Sequence, residues 1–226
     1  MNKLALFMLL FSITITVKAQ EEKITQKLLS FKEIKAFDGL SVNLIKSDKN
    51  EAVITGANTQ KVSIANNDGV LKLRMELDKI FSGYRTFIDV YYTEVLTIID
   101  VNEDARITSK ELIAQSVLEL KAQEGGELII NAKVSQLLVK SVTGGLITTN
   151  GSSKNQDVNI NTGGIYNGKD FNTELTTITV NAGGNAEINA SKYVQATVKA
   201  GGEVSVYGNP ARMDEKTVFG GKITRK

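Results

Sequence analysis

The chain has 226 residues, 27 of them Lys or Arg against 25 Asp or Glu, with no cysteine, histidine or tryptophan. Those absences exclude a disulfide scaffold, Ser-His-Asp and Cys-His nucleophiles and every histidine metal site. The near-balanced charge argues against nucleic acid or an anionic membrane as the main target, while one proline and 19 glycines point to β-structure that turns at glycine.

The first twenty residues read as an export signal. Lys3 gives a basic start, residues 4–17 an apolar run, and Val17-Lys18-Ala19 a small-residue cleavage site before Gln20. The run is too short and wrongly flanked for a stable membrane anchor, and no later segment has the apolar length of a spanning helix. Its removal takes Lys3 and Lys18 and leaves a formally neutral chain. The expectation is a signal peptide over 1–19, one domain over 20–226, and an exported protein that is periplasmic, surface-attached or secreted and not integral to a membrane.

Residues 20–95 form a β-rich first part of that domain. Leu40, Val42 and Leu44 alternate with polar residues, as do Leu71, Leu73, Met75 and Leu77, and then Ile88, Val90 and Tyr92. Period-two alternation predicts strands with one buried face, and Asp68-Gly69 between two such runs predicts a hairpin. Tyr84, Tyr91 and Tyr92 are the densest aromatic group and are expected in the core. An open β-stack invites pairing at its end, so this part should continue or cap the stack that follows.

From about Leu96 the sequence repeats. Glycine pairs stand at Gly125-Gly126, Gly144-Gly145, Gly163-Gly164, Gly183-Gly184, Gly201-Gly202 and Gly220-Gly221, at spacings of 19, 19, 20, 18 and 19. A sustained period of this length is the mark of a solenoid. Five and three residues before each pair lie inward candidates such as Val158 and Ile160 or Ile178 and Val180. Three and five after lie others such as Leu128 and Ile130 or Val204 and Val206. Each glycine corner therefore joins two strands, and the looser stretches 152–156, 169–174 and 210–215 are a variable loop or a third side. Residues 96–106 resemble a first coil with Glu103-Asp104 at the corner. Nineteen residues at about 3.3 Å each give a perimeter of roughly 60 Å, fitting a three-sided coil. The fold class is all-β, a parallel β-helix with coils of about nineteen residues.

Phe37-Asp38-Gly39-Leu40, Asp68-Gly69-Val70-Leu71-Lys72-Leu73, Val90-Tyr91-Tyr92-Thr93-Glu94-Val95-Leu96 and the glycine-pair coils occur in this order. Together they resemble the auto-transporter adhesin, head GIN domain family of Bacteroidota, over about residues 34 to 209. The resemblance implies a right-handed β-helix and adhesion. It brings no catalytic residues.

Candidate chemistry is sparse. Residues 163–170 read G-x-x-x-x-G-K-D, lacking the Ser or Thr and the helix of a phosphate-binding loop, and are expected to be an ordinary coil. Glu203 and Lys222 share a column with Glu187 diagonal to them, which suits salt bridging across strands more than acid–base work on a sugar. Asn161 and Asn181, and Asn131, Asn150 and Asn189, fit amide ladders and turns. Asn161, Asn181, Glu187, Glu203 and Lys222 make up the candidate interaction face. No catalytic, cofactor or metal residues are expected, and the partner is unassigned between polysaccharide and envelope protein. The reading is a non-enzymatic envelope module. A glycan-processing enzyme and a self-assembling scaffold are its rivals. Lys222, Arg225 and Lys226 are expected to keep the final edge from stacking end to end, giving a monomer or a weak, small oligomer.

Overall fold

The computed structural model describes residues 23–226, and the signal peptide expected over 1–19 lies outside the described residues. The first part holds β1 (Ile24–Lys27), β2 (Glu33–Ala36), β3 (Ser41–Lys46), β4 (Glu51–Gly56), β5 (Val62–Asn67), β6 (Val70–Met75), β7 (Thr86–Tyr92) and β8 (Ile98–Val101). The repeat follows as β9 (Arg106–Gln123), β10 (Glu127–Val142), β11 (Leu146–Asn161), β12 (Ile165–Asn181) and β13 (Asn185–Lys199). It ends with β14 (Glu203–Tyr207), β15 (Arg212–Val218) and β16 (Lys222–Arg225). Each of β9 to β13 is a long strand of 15 to 18 residues that bends around the stack and pairs in parallel with the next.

The inward positions named for the coils are buried, with Val158, Ile160, Ile178, Val180, Leu128, Ile130, Val204 and Val206 at most 1% exposed. Each such side chain contributes about 1.5–3 kcal/mol before the entropy of ordering is subtracted. Leu77, by contrast, expected to continue the buried alternation of Leu71, Leu73 and Met75, lies beyond the end of β6 and is exposed. The stretches 152–156 and 169–174 are not loops. They belong to β11 and β12 and form the third side. Coil-length differences vanish there into bulges. Lys110 and Glu111 are extra residues in β9 opposite the Ile130/Asn131 step, and β12 is out of step with β13 between Asn167 and Asn172.

The glycine pair has two separate jobs. The corner's two central residues both have positive φ, as at Thr143 (48°) with Gly144 (73°) and Ala182 (48°) with Gly183 (74°). This is the pattern of a type I′ turn, so the first glycine is chosen for its backbone. The second glycine is chosen for its missing Cβ. A Cβ on Gly145 would fall on the Ala122 carbonyl oxygen of the coil beneath, and one on Gly164 would come within 2.5 Å of the Ser141 carbonyl oxygen. Corners stack through backbone hydrogen bonds, from Gly125 N–H to Thr143 O at 3.2 Å and from Gly144 N–H to Thr162 O at 3.3 Å.

The same corner appears twice without a glycine pair, at Asp38-Gly39 and Glu103-Asp104, and these two are neighbours in the stack: Gly39 N–H donates to Glu103 O at 2.8 Å. Chain order and stack order therefore differ. β2 lies between β6 and β8, and β3 lies between β7 and β9. The coil made by β6 and β7 follows β2 and β3 in sequence but sits on their far side. Antiparallel β5 and β4 then close its two edges, with β1 on β4. The first part thus both continues and caps the stack, and the caps are short and largely polar on their outer sides, as an edge requires.

Midway along the stack the core turns polar. Tyr166 is fully buried, and its hydroxyl lies 2.7 Å from Thr149 Oγ1 and accepts from Gln156 Nε2 at 2.6 Å. Gln156 in turn accepts from Thr176, whose hydroxyl meets Thr173 at 2.7 Å. Gly168 leaves the space the Tyr166 ring occupies. The phosphate-loop spacing at 163–170 therefore reflects core packing within an ordinary coil.

Candidate functional site

The glycine corner divides the outer surface into a leading face before it and a trailing face after it. On the leading face the register sets Asp157, Thr177 and Gln195 in one row and Asn159, Thr179 and Thr197 in the next. Beside the corner, Asn181 Nδ2 donates to Asn161 Oδ1 at 2.8 Å and Asn161 Nδ2 to Asn159 Oδ1 at 2.6 Å. The result is a flat array of amides and hydroxyls on neighbouring coils, bounded along the same rows by Lys140 on one side and by Lys216 and Asp214 on the other.

The trailing face carries the carboxylates. Asn185, Glu203 and Lys222 share a column, and Glu203 pairs with Lys222 at 3.1 Å. Glu187 accepts the Tyr207 hydroxyl at 3.1 Å, and this hydrogen bond holds the phenol protonated above its ordinary range. Lys169 lies 5.1 Å from the Tyr207 ring. Ile165, Asn167, Asn185, Glu187, Glu203 and Ser205 line a shallow depression of about 230 Å³. The five residues singled out in the sequence therefore fall into two groups. Asn161 and Asn181 lie together on one face, and Glu187, Glu203 and Lys222 lie together on the other. The exposed asparagine and threonine rows are legible in the sequence, where Thr179 and Thr197 stand at the polar positions between inward residues, and the register sets them side by side.

The other asparagines behave as ladders. Asn150 donates to Asn131 at 3.3 Å, and Asn131 and Asn189 donate to the Lys110 and Lys169 carbonyls at 2.9 Å. Tyr92 is buried as expected, but Tyr84 is 56% exposed, contrary to the core position expected of it. It lies across the corner with its hydroxyl 3.1 Å from Asp104 and its ring against Gly39, where no Cβ stands in the way.

A second constellation joins the displaced coil to the stack. Asp38 is fully buried, accepts the Met75 N–H at 3.0 Å through Oδ2 and lies 3.6 Å from Arg74 Nε. Its Oδ1 has no partner among the described residues. Arg74 also reaches Glu103 at 3.3 Å. Burial, then the neighbouring Asp38 carboxylate, raise the Glu103 pKa, against the pull of Arg74. Burial likewise raises Asp100, opposed by Lys35. At the far end, Arg225 pairs with Glu215 at 3.0 Å, so two of the three basic side chains expected to charge that edge are neutralised within the chain.

Among the described residues no three His, Cys, Asp or Glu side chains converge as a metal site, and no helix is long and apolar enough to cross a membrane. The sequence profile of the family described as putative auto-transporter adhesin, head GIN domain, matches residues 30–210. The chain belongs to that family. Its fold is shared by a putative adhesin from Bacteroides fragilis, at 17% identity and a TM-score of 0.83 over 92% of this chain and 98% of that one. A putative lipid binding protein from Parabacteroides distasonis is similar at 15% identity and a TM-score of 0.69, over 92% and 98%. A putative adhesin from Parabacteroides merdae follows at 15% and 0.64, over 92% and 97%. No curated protein matches. These identities speak to the fold, and the head GIN stack is that fold.

Proposed function

We propose that this head GIN protein is an exported, non-catalytic binding module that lays an extended, uncharged polysaccharide along its leading face. One observation carries the reading: the hydrogen-bonded chain of Asn159, Asn161 and Asn181 beside Thr177, Thr179 and Thr197. The amides hold one another in place and keep unused donor and acceptor capacity. Within a row, side chains on neighbouring coils stand about 4.8 Å apart, a rigid polar comb that needs little ordering on binding. A flat array suits a polymer lying across it better than a small substrate needing enclosure. The adhesin description of the family agrees with binding at the cell surface.

The carboxylates favour this reading over a glycan-processing enzyme, because Glu203 is occupied by Lys222 and Glu187 by Tyr207. A polysaccharide panel tests both. Binding should fall at least about tenfold in Thr179→Lys with an unchanged melting temperature, the loss expected when a like-shaped polar contact is replaced by a blocking charge. Turnover of any polysaccharide that Glu203→Gln abolishes would overturn the proposal.

A further inference from the structure

The displaced coil carries a feature that the polysaccharide reading does not use. Where other corners take two residues, the connection from β6 to β7 spans residues 76–85. Leu77 is 89% exposed, Phe81 56% and Ile80 43%, whereas Leu29, Leu112 and Phe219 stand far from this segment in sequence. Concentrated exposed apolar side chains mark an interaction site more often than scattered ones do. Phe81 also has φ of 59°, a conformation that bulky residues seldom adopt.

The segment is firmly held. Glu76 N–H donates to Lys61 O, Lys79 N–H to Glu76 O, Ser82 N–H to Lys79 O and Gly83 N–H to Asp38 O, at 2.8 to 3.1 Å. A Cβ on Gly83 would come within 2.5 Å of the Asp38 carbonyl oxygen, so the turn is pressed onto the stack. Beneath Leu77 and Ile80 lies a hollow of about 600 Å³ whose lining also includes Lys61, Arg74 and Met75. Lys61 pairs with Glu76 at 3.0 Å and Asp78 at 3.1 Å, so the two local acids share one cation within the chain. Lys79 and Arg85 have no acidic partner in any ion pair among the described residues, and both are exposed.

We infer that the 76–85 segment docks on a lipid surface bearing anionic headgroups. Leu77, Ile80 and Phe81 enter the interface while Lys79 and Arg85 meet the headgroups. Apolar side chains flanked by unpaired cations are what a shallow, reversible membrane contact requires. The near-neutral charge of the whole chain does not oppose this, because screening beyond about 8 Å leaves local charge to decide.

Every described strand and the whole core lie beyond Gln20, so the test uses the chain from Gln20 onward, free of the apolar run at 4–17. Sedimentation with vesicles of phosphatidylcholine mixed with phosphatidylglycerol should carry the protein down, and vesicles of phosphatidylcholine alone should carry much less. Lys79→Ala and Arg85→Ala should each weaken binding roughly fivefold. Phe81→Asn should weaken it about tenfold or more, and it keeps the fold because asparagine tolerates positive φ. Failure to sediment with anionic vesicles, or equal binding by all three variants, would overturn the inference. So would a vesicle-independent dimer that Phe81→Asn dissolves, since the patch would then be a self-interface.

Discussion

The glycine-pair stack from β9 to β13 and the displaced coil of β6 and β7 are built from the same alternating strands, yet they solve their corners differently. In the stack a two-residue corner recurs, and each coil lies directly on the one before it in sequence. In the displaced coil the corner is replaced by residues 76–85, and side chains reinforce the backbone pairing of β6 with β2 and β7 with β3: Asp38 to Met75 N–H and Arg74 to Glu103. Repetition places a coil through its recurring corner, because each corner hydrogen-bonds to the next. A coil inserted out of order has lost that template and needs specific polar contacts and a tailored turn.

That contrast can be broken from either side. The largest effect is expected at the second glycine of a stack corner. Gly145→Ala puts a Cβ on the Ala122 carbonyl oxygen and should cost about 3 kcal/mol, the upper range for overpacking. Gly183→Ala, which has open space but needs φ of 74°, should cost only about 1–2 kcal/mol. Chemical denaturation of the two variants checks the ranking, and equal losses would mean that the two glycines do not have separate roles.

Tyr166→Phe removes the hydroxyl that joins Thr149 and Gln156 in the middle of the stack. Leaving buried polar groups unpaired should cost about 1–3 kcal/mol, read as a lowered denaturation midpoint with an unchanged slope. Gly83→Ala strikes the displaced coil alone. Its effect should be local, with faster amide exchange over 76–85 and in β6 and β7 while β10 to β12 stay protected. Loss of protection throughout would show that the two regions unfold as one unit.

The smallest effect concerns pH. Burial and the neighbouring Asp38 raise the folded-state pKa of Glu103 above its unfolded value. The contribution is therefore fully present below the unfolded pKa and is lost as pH rises through the folded one. Asp100, raised by burial, acts in the same sense. Glu103→Gln should flatten the part of the stability–pH curve that falls above the ordinary glutamate range. Urea titrations of both proteins from pH 4 to pH 8 (a window of about four units around that range) measure it, and parallel curves would remove Glu103 as a contributor.

The amino-acid sequence by itself determined the coil. Positive φ at the first glycine and the forbidden Cβ at the second recur at each turn, so their spacing prints the coil length directly. Alternation such as Leu128–Ile130 or Ile178–Val180 prints which side chains are inward. The Asn161–Asn181 ladder was legible for the same reason, since equal offsets from the corner become neighbours in a stack. Tertiary structure alone decided what has no fixed offset. The third side looked loose because bulges at Lys110–Glu111 and near Gly168 absorb unequal coil lengths. Glu187 and Glu203 parted from the asparagines because a corner turns the surface between them. The placement of β6 and β7 on the far side of β2 and β3 was equally hidden: both edges of that first coil offer the same backbone donors and acceptors. The choice between them rests on distant contacts, such as buried Asp38 with Met75 N–H, that no local pattern records.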